Sequence, residues 1–298
     1  MTSSLLAALL GAASVTAAAG AWFFATQASV SDQSAALTAV FASAAALAAL
    51  VASGTAAASC MHCTGTWTTA VTAVRQALVK QGSNPDPSTW AGRLVLFMMR
   101  DMNRQCRDAA RAACAPVPGS TVVELGCADG HLLGQLADDC SSSNAEDPGR
   151  AIGVDISASV LTGVAGRAAA TIRPGRFCEV TTQCKAIGTP GVTLDIKDAT
   201  VDAVVHCHCV YFWKDLDAGA AEVARVLRPN GRHVFIMGPE AMLKSNASMA
   251  DSPFRQTSHS TILSAFERAG MSTDSIEVMA GAGHSVVRMS KDSSTCRA

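Results

Sequence analysis

The stretch VVELGCADGHLLGQLA, residues 122–137, constrains the fold more than any other part of this chain. An apolar strand runs into Glu124, a turn of small residues follows, and an amphipathic helix comes next. Glycines after a strand let the backbone approach a ligand closely, and the following helix offers N–H groups without partners. The spacing departs from the dinucleotide fingerprint GxGxxG because His131 stands where that pattern needs its last glycine. Taken alone, the turn fits a nucleotide-like ligand and a purely steric glycine turn equally well.

A second strand, AIGVD at residues 151–155, ends in an acid. A carboxylate at the end of the second parallel strand can accept hydrogen bonds from both ribose hydroxyls of a nucleoside. The alternative is that Asp155 caps the helix that starts near Ser157. Further along, buried strands are predicted at 200–205 and 233–237, separated by a helix that ends at the stop signal RPNG.

The blocks VVELGCADG, AIGVDIS, DATVDAVV and EVARVLRPNGR, in this order and spacing, resemble the class I S-adenosylmethionine-dependent methyltransferases of the type-11 branch. The resemblance covers about residues 89–290 and implies an α/β fold: a doubly wound, mostly parallel seven-stranded sheet with helices on both faces. It implies that S-adenosylmethionine is held by seven residues: Glu124, Gly126, Cys127, Ala128, Gly130, Asp155 and Ile156. The chain departs from the family loop at one position, where Ala128 replaces the middle glycine, and this departure bears on cofactor affinity.

Residues 206–215, HCHCVYFWKD, lie where the carboxyl end of a central strand is expected, and ligands bind at that edge of open α/β sheets. One interpretation is an acceptor pocket with aromatic walls, in which His206, His208 or Tyr211 orients or deprotonates the acceptor. The other is a structural aromatic cluster that packs on the next helix. A general base is needed only when the acceptor atom carries a proton. The sequence leaves both interpretations open.

The helix before the glycine loop is predicted from Thr89 through Ala115, because its apolar residues recur at helical spacing. Its methionines, Met98, Met99 and Met102, either line the substrate pocket, as the resemblance implies, or fill gaps in the core. At the other end of the domain, residues 240–260 are predicted to be an irregular loop. The last helix is then expected at 261–270 and the final strand at 285–289.

The first 74 residues contain a single charged side chain, Asp32. Two apolar runs, 5–25 and 35–52, approach the length of about 20 residues that spans a bilayer. They predict a membrane-anchored helical hairpin, and the basic residues that follow it place the catalytic domain on the cytosolic side. A low-complexity or processed leader is the alternative, because both runs are rich in alanine. The predicted organisation is an anchor region at 1–58, a linker at 59–88, the methyltransferase domain at 89–291 and a tail at 292–298.

The chain has eleven cysteines, which a cytosolic domain keeps as thiols. The motif CMHC at 60–63 has the spacing of half a zinc site, and HCHC at 206–209 is a second cluster. A strand alternates its faces, so the two histidines and the two cysteines of 206–209 point to opposite sides and do not converge on one ion. We therefore assign no metal, although a zinc site that joins Cys60 and Cys63 to this strand stays open. Most of the cysteines are interpreted as small buried apolar residues.

The predicted function is methyl transfer from S-adenosylmethionine to an unidentified acceptor, and a membrane anchor favours a hydrophobic small molecule or lipid. The net charge of −1 does not indicate the basic surface that a nucleic-acid-binding protein needs. Two other hypotheses stay open: a membrane-anchored protein that binds S-adenosylmethionine without catalysis, and a nicotinamide-dependent oxidoreductase. The spacing of the glycine turn disfavours the oxidoreductase. The oligomeric state is not indicated by the sequence.

Overall fold

A computed structural model describes residues 85–247, 254–255, 257–280 and 283–293. The predicted anchor region at 1–58, most of the linker and most of the tail lie outside these residues. Among the helices within them, none combines the length and the apolar character that crossing a membrane requires.

Seven strands form one sheet in the described part of the chain. In chain order they are β1 (Thr121–Leu125), β2 (Gly149–Asp155), β3 (Cys178–Cys184), β4 (Val201–Cys207), β5 (Leu227–Met237), β6 (Met271–Val278) and β7 (Ser285–Lys291). Their order in the sheet is β3-β2-β1-β4-β5-β7-β6. Strands β1 to β5 pair in parallel, whereas β7 runs antiparallel to both β5 and β6. The predicted mostly parallel seven-stranded sheet is thus confirmed.

Helices connect the strands and cover the sheet. They are α1 (Trp90–Met102), α2 (Arg104–Cys114), α3 (His131–Cys140), α4 (Ala158–Leu161), α5 (Val164–Ala169), α6 (Leu216–Val226), α7 (Glu240–Ala247) and α8 (His259–Arg268), with a 3₁₀ turn at Val210–Phe212.

The core lies on both faces of the sheet because alternate residues of each strand point to opposite sides. One face carries Val122, Ala203 and Val234, which pack with apolar residues of α2, α3 and α5. The other carries Val204 and Phe235, which pack with α6 and α8. The central strands are covered on both sides, which explains why they read as nearly continuous apolar runs.

Three local predictions were wrong. The helix predicted from Thr89 to Ala115 is two helices, because Asn103 leaves the helical conformation between α1 and α2 (φ −92°, ψ 7°). The guanidinium of Arg107 donates to the carbonyls of Met99 and Arg100, so it satisfies the end of α1. The predicted loop at 240–260 contains helix α7.

The turn RPNG is the third difference, because it lies inside a strand. Strand β5 begins at Leu227, immediately after α6, and shifts its register against β4 before Arg232. Asn230, with φ +60°, accommodates the bulge. The stop signals therefore end the helix as predicted. The residues that carry them belong to strand β5 and do not form a separate loop.

Candidate cofactor site at the carboxyl edge of the sheet

The glycine loop after β1 is fastened to the end of β2 by three backbone donors. The N–H groups of Gly126 and Cys127 donate to the carbonyl of Val154 at 2.7 and 3.1 Å. The N–H of Ala128 donates to Oδ2 of Asp155 at 3.0 Å. Parallel pairing of β1 with β2 places these groups at the same edge of the sheet. The loop and the acid predicted to bind the cofactor therefore form one hydrogen-bonded unit.

Asp155 does not cap the next helix. Ser157 caps it, since its side chain accepts from the N–H of Val160. Asp155 instead accepts from the N–H of Ser157 through Oδ1, at 2.9 Å, while Oδ2 braces the loop. Burial raises the pKa of Asp155, and the backbone N–H donors oppose that rise. The carboxylate lines a cavity, so its remaining lone pairs are available to a ligand.

Three residues of the loop have left-handed backbone: Gly126 (φ +71°), Ala128 (φ +44°) and Gly130 (φ +79°). A Cβ atom on Gly126 would lie 3.1 Å from the Sγ atom of Cys209. A Cβ atom on Gly130 would lie 2.5 Å from a methyl carbon of Val164. Gly126 borders the cavity, whereas Gly130 serves the packing of α3 against α5. Ala128 has the left-handed backbone that glycine favours, although alanine carries a Cβ atom.

The loop borders a cavity of about 220 Å³ at the ends of β1, β2 and β4. Its apolar lining includes Met99, Leu125, Val154, Ile156, Ile187, Phe212 and Trp213. An adjoining recess of about 70 Å³ shares Met99, Gly126, Ala128 and Cys207 with it. A larger and more open groove, about 560 Å³, surrounds Arg111, Arg173 and Arg176 and contains none of the predicted site residues.

Glu124 is the most unusual polar group of the recess. Its side chain is only 5% exposed, and its Oε2 atom has no hydrogen-bond partner within the described chain. Burial, together with the nearby Asp129, raises the pKa of Glu124 well above its ordinary value. A buried carboxyl oxygen without a donor is costly. A cationic ligand group in the recess would supply the missing partner and lower this pKa again.

Six of the seven residues predicted to hold the cofactor line the cavity or the recess, and Gly130 is the exception. Ile156 is 52% exposed although it is apolar, and it forms part of the cavity wall. The thiol of Cys127 is buried and faces β2: a Cβ atom on Gly153 would lie 2.9 Å from its Sγ. Cys127 therefore contributes backbone to the site while its side chain packs in the core.

His206 lies in the core, away from the cavity. It is fully buried, and its ring centroid is 5.1 Å from those of His233 and Phe235 and 5.6 Å from that of Trp213. Neither ring nitrogen has a hydrogen-bond partner in the described chain, and burial lowers the pKa of His206 to about 3. A neutral ring enclosed by other rings cannot exchange protons with an acceptor. We therefore do not retain His206 as a general base.

Tyr211 also belongs to the core. Its side chain is 1% exposed, and its hydroxyl oxygen accepts a hydrogen bond from the N–H of Gly238. Burial raises the pKa of Tyr211, and its ring stacks against Phe254. Phe212 and Trp213, in contrast, line the cavity. Trp213 also packs in the core, so the aromatic run divides between the core and the cavity wall, and its contact with an acceptor stays a prediction.

His208 is the one predicted catalytic side chain that lines the cavity. Strand β4 ends at Cys207, and His208 has left-handed backbone (φ +54°), so the alternation predicted for 206–209 stops there. Cys207, His208 and Cys209 all border the cavity as a result. Burial, followed by the nearby His284, lowers the pKa of His208 to about 4.

The sequence interpretation missed the segment after β3. Lys185, Ala186, Ile187 and Thr189 line the cavity, and the ammonium of Lys185 lies 2.9 Å from Oδ1 of Asp195. The β-branched alternation in CEVTTQC, residues 178–184, was the signal that predicts this strand and hence these residues. Of the methionines on α1, Met99 lines the cavity and Met102 is 72% exposed. The side chain of Met98 lies outside the part of the chain that the structure describes.

Comparisons with known proteins agree with this architecture. A family model described as a methyltransferase domain matches residues 123–235. A chain from a Haloferax volcanii complex between the Trm112 methyltransferase activator and a proposed methyltransferase is 19% identical, with a TM-score of 0.54. The match covers 68% of this chain and 96% of that one. No curated protein sequence matches this chain.

Two further solved structures are similar to this chain. The [4+2]-cyclase SpnF is 13% identical, with a TM-score of 0.50, over 63% of this chain and 80% of that chain. An S-adenosylmethionine-dependent methyltransferase from Mesorhizobium loti is 16% identical, with a TM-score of 0.49, over 62% of this chain and 96% of that chain. At such identities the Haloferax volcanii chain and SpnF show the fold alone, and SpnF is described as a cyclase. The matched model shows a methyltransferase domain at residues 123–235, and the sheet order and the glycine loop agree with the resemblance to the class I S-adenosylmethionine-dependent methyltransferases; S-adenosylmethionine is the cofactor that these findings support.

Proposed function

We propose that the cavity beside Asp155 binds S-adenosylmethionine and transfers its methyl group to a small apolar acceptor. The observation that carries this proposal is the Asp155 carboxylate, which braces the glycine loop and lines the cavity. In the reaction the acceptor atom attacks the methyl carbon, the bond from carbon to the sulfonium sulfur breaks, and S-adenosylhomocysteine leaves. The sulfonium is already a strong electrophile, so the protein contributes alignment and exclusion of water.

The polar groups of the site suit the parts of the cofactor. Asp155 accepts from the ribose hydroxyls, as an acid at the end of a second strand does for nucleosides. Ile156 and Ile187 offer apolar surface to the base. The unpartnered Oε2 of Glu124 accepts from the cationic amino group of the methionine part.

The acceptor is proposed to be a hydrophobic small molecule or lipid. Met99, Phe212 and Trp213 give the cavity an apolar wall. The two apolar runs at 5–25 and 35–52 support the further proposal that the chain is held at a membrane, with its catalytic domain on the cytosolic side. His208 is the candidate base for an acceptor atom that carries a proton, since its ring is neutral and lies at the cavity.

Calorimetry on the full chain tests the cofactor site. We expect S-adenosylmethionine to bind, a nicotinamide dinucleotide not to bind, and Asp155→Ala to weaken binding by about 1–3 kcal/mol because the ribose hydroxyls lose their partner. The matched control is Asp217→Ala, which removes an exposed aspartate on α6 that lies outside the cavity. Equal affinities for Asp155→Ala and the unaltered chain would remove Asp155 from the site.

Incubation of membranes with methyl-labelled S-adenosylmethionine and the full chain tests the transfer. A labelled lipid-phase product that needs the protein supports an apolar acceptor, and a water-soluble product contradicts it. Binding without any labelled product favours the non-catalytic alternative.

Cell fractionation tests the anchor separately. We expect the full chain to resist carbonate extraction from membranes. Two spans would leave tags at both termini on the same face, and protease protection of the tags measures this. Recovery of the full chain in the soluble fraction with an uncut N-terminus would contradict the anchor.

A further inference from the structure

A second cluster of chemically active side chains lies beside the cavity. Cys106 on α2, His208 after β4 and His284 before β7 place one potential ligand atom each within 4.8 Å of one another. The rings of His208 and His284 meet edge to face, with centroids 5.0 Å apart. Cys106 is buried and is a free thiol. Three distant segments of the chain, about residues 106, 208 and 284, therefore converge on one point.

One ring nitrogen of each histidine in this cluster has no hydrogen-bond partner in the described chain. The Nδ1 atoms of His208 and His284 are buried and have no hydrogen-bond partner in the described chain. Such atoms are costly unless a donor, an acceptor or an ion meets them. His208 also has left-handed backbone, which is strained for a residue that is not glycine. His208 follows the end of β4, and its ring contacts that of His284 and lies near Cys106.

The ligand set points to one class of ion. A thiolate and two imidazoles are the donors that Zn²⁺ prefers, and three protein ligands with one open position form a known type of zinc site. Bond lengths of about 2.0–2.3 Å around a tetrahedral ion put the donor atoms roughly 3.3–3.7 Å apart. The observed separations of up to 4.8 Å need only modest side-chain rotation to reach that range. Among the described residues the cluster offers three ligands, which leaves one position of a tetrahedral ion to a further donor.

We propose that Cys106, His208 and His284 bind a zinc ion at the rim of the cavity. The thiol proton of Cys106 leaves to solvent as the Zn–S bond forms, and no electrons are transferred. The ion joins α2 to the ends of β4 and β7. Because His208 also lines the cavity, zinc fixes the position of that wall, and a His208 that binds zinc acts as a ligand in place of the base named above. The site rests on the geometry of these three residues and does not depend on methyl transfer.

The experiment measures zinc in the full chain carrying Cys60→Ser and Cys63→Ser, so that the CMHC motif cannot supply the signal. After chelation and return of one equivalent of Zn²⁺, we expect one tightly bound ion by elemental analysis and by competition with a chromogenic chelator. Cys106→Ser, His208→Ala and His284→Ala should each weaken zinc binding by at least about 100-fold, because even loss of an outer partner of a metal ligand costs about 10–100-fold. The matched control, Cys114→Ser, changes another buried cysteine of α2 and should keep the ion.

Cobalt gives a second readout that does not depend on activity. Co²⁺ in the same background should show a thiolate-to-metal charge-transfer band that disappears in Cys106→Ser and persists in Cys114→Ser. Circular dichroism of each variant separates loss of the ion from loss of the fold. Zinc binding that is equal in the background chain and all three variants would overturn the proposal, as would a folded background chain that binds no zinc. Neither result bears on S-adenosylmethionine, whose binding is measured separately by calorimetry.

Discussion

The loop after β1 and the segment after β4 end neighbouring strands, yet they use buried polar groups in opposite ways. Just before the loop, at the end of β1, Glu124 leaves a carboxyl oxygen without a partner at the wall of a recess. Just before the segment, at the end of β4, His206 leaves both ring nitrogens without partners among the rings of His233, Phe235 and Trp213. The first group faces space that a ligand can fill, and the second faces packed side chains.

The difference teaches that burial and missing partners do not by themselves identify a functional group. What matters is whether the group borders a cavity, and that depends on where the chain leaves the strand. Residue 206 is still inside β4 and points into a core face, whereas residue 208 has left it. A distance of two residues along the chain therefore separates a core histidine from a histidine of the site.

Gly126→Val should have the largest effect on the loop side of this comparison. The new side chain meets the Sγ atom of Cys209 at 3.1 Å and enters the cavity, with φ at +71°. We expect the affinity for S-adenosylmethionine to fall by more than about 100-fold, measured by calorimetry, since neither the backbone strain nor the clash can relax cheaply.

The control for this change is Gly175→Val, at φ +77° with open space around it. It carries the same backbone strain, about 1–2 kcal/mol, but should leave affinity unchanged. If both variants lose the cofactor equally, strain and not cavity occlusion is responsible.

Tyr211→Phe tests the segment side. Removing the hydroxyl leaves the buried N–H of Gly238 without its acceptor, so we expect a loss of about 1–3 kcal/mol in the free energy of unfolding. Affinity for S-adenosylmethionine should not change. Denaturant unfolding and calorimetry measure the two quantities. A large drop in methyl transfer with unaltered stability would instead make Tyr211 a catalytic residue.

His233→Phe tests whether the buried rings are neutral core. Burial lowers the pKa of His233 well below its ordinary value of about 6.5, so below that pH the unfolded chain binds a proton that the folded chain does not. Stability must then fall as the pH drops below about 6.5, by up to about 1.4 kcal/mol per pH unit for this one group. In His233→Phe that contribution disappears, and urea unfolding at pH 7 and pH 5 measures the smaller slope. An unchanged slope would show that His233 is not buried neutral.

Ala128→Gly should have the smallest effect. Glycine adopts φ +44° without the strain that alanine carries, so we expect a gain of up to about 1 kcal/mol in stability and equal or slightly better cofactor affinity. Ala115→Gly, at φ +40° after α2, is the matched change away from the loop and should stabilise the chain without altering affinity. A loss of affinity in Ala128→Gly would show that the methyl group of Ala128 contacts the cofactor.

Much of the fold and the cofactor half of the site could be predicted because their signals are local. Strand β1, the loop and α3 occupy fewer than two dozen consecutive residues, and β2 ends at Asp155 in one apolar run. Strand β3 and the cavity residues after it were missed because its faces are only partly buried, which weakens the apolar pattern. The break at Asn103 was missed because a single polar residue within an amphipathic pattern gives little warning.

The sequence by itself determined the α/β sheet, its glycine loop and the acid that follows, because each depends on neighbours close along the chain. Only the tertiary structure decided which of His206, His208 and Tyr211 reaches the cavity, since one left-handed residue changes the face to which the chain turns. It alone brought Cys106, His208 and His284 together, because no local pattern links residues about 100 and 180 positions apart. Local periodicity specifies strands and helices. A site assembled from distant segments exists only after the strands have paired and the helices have packed on the sheet.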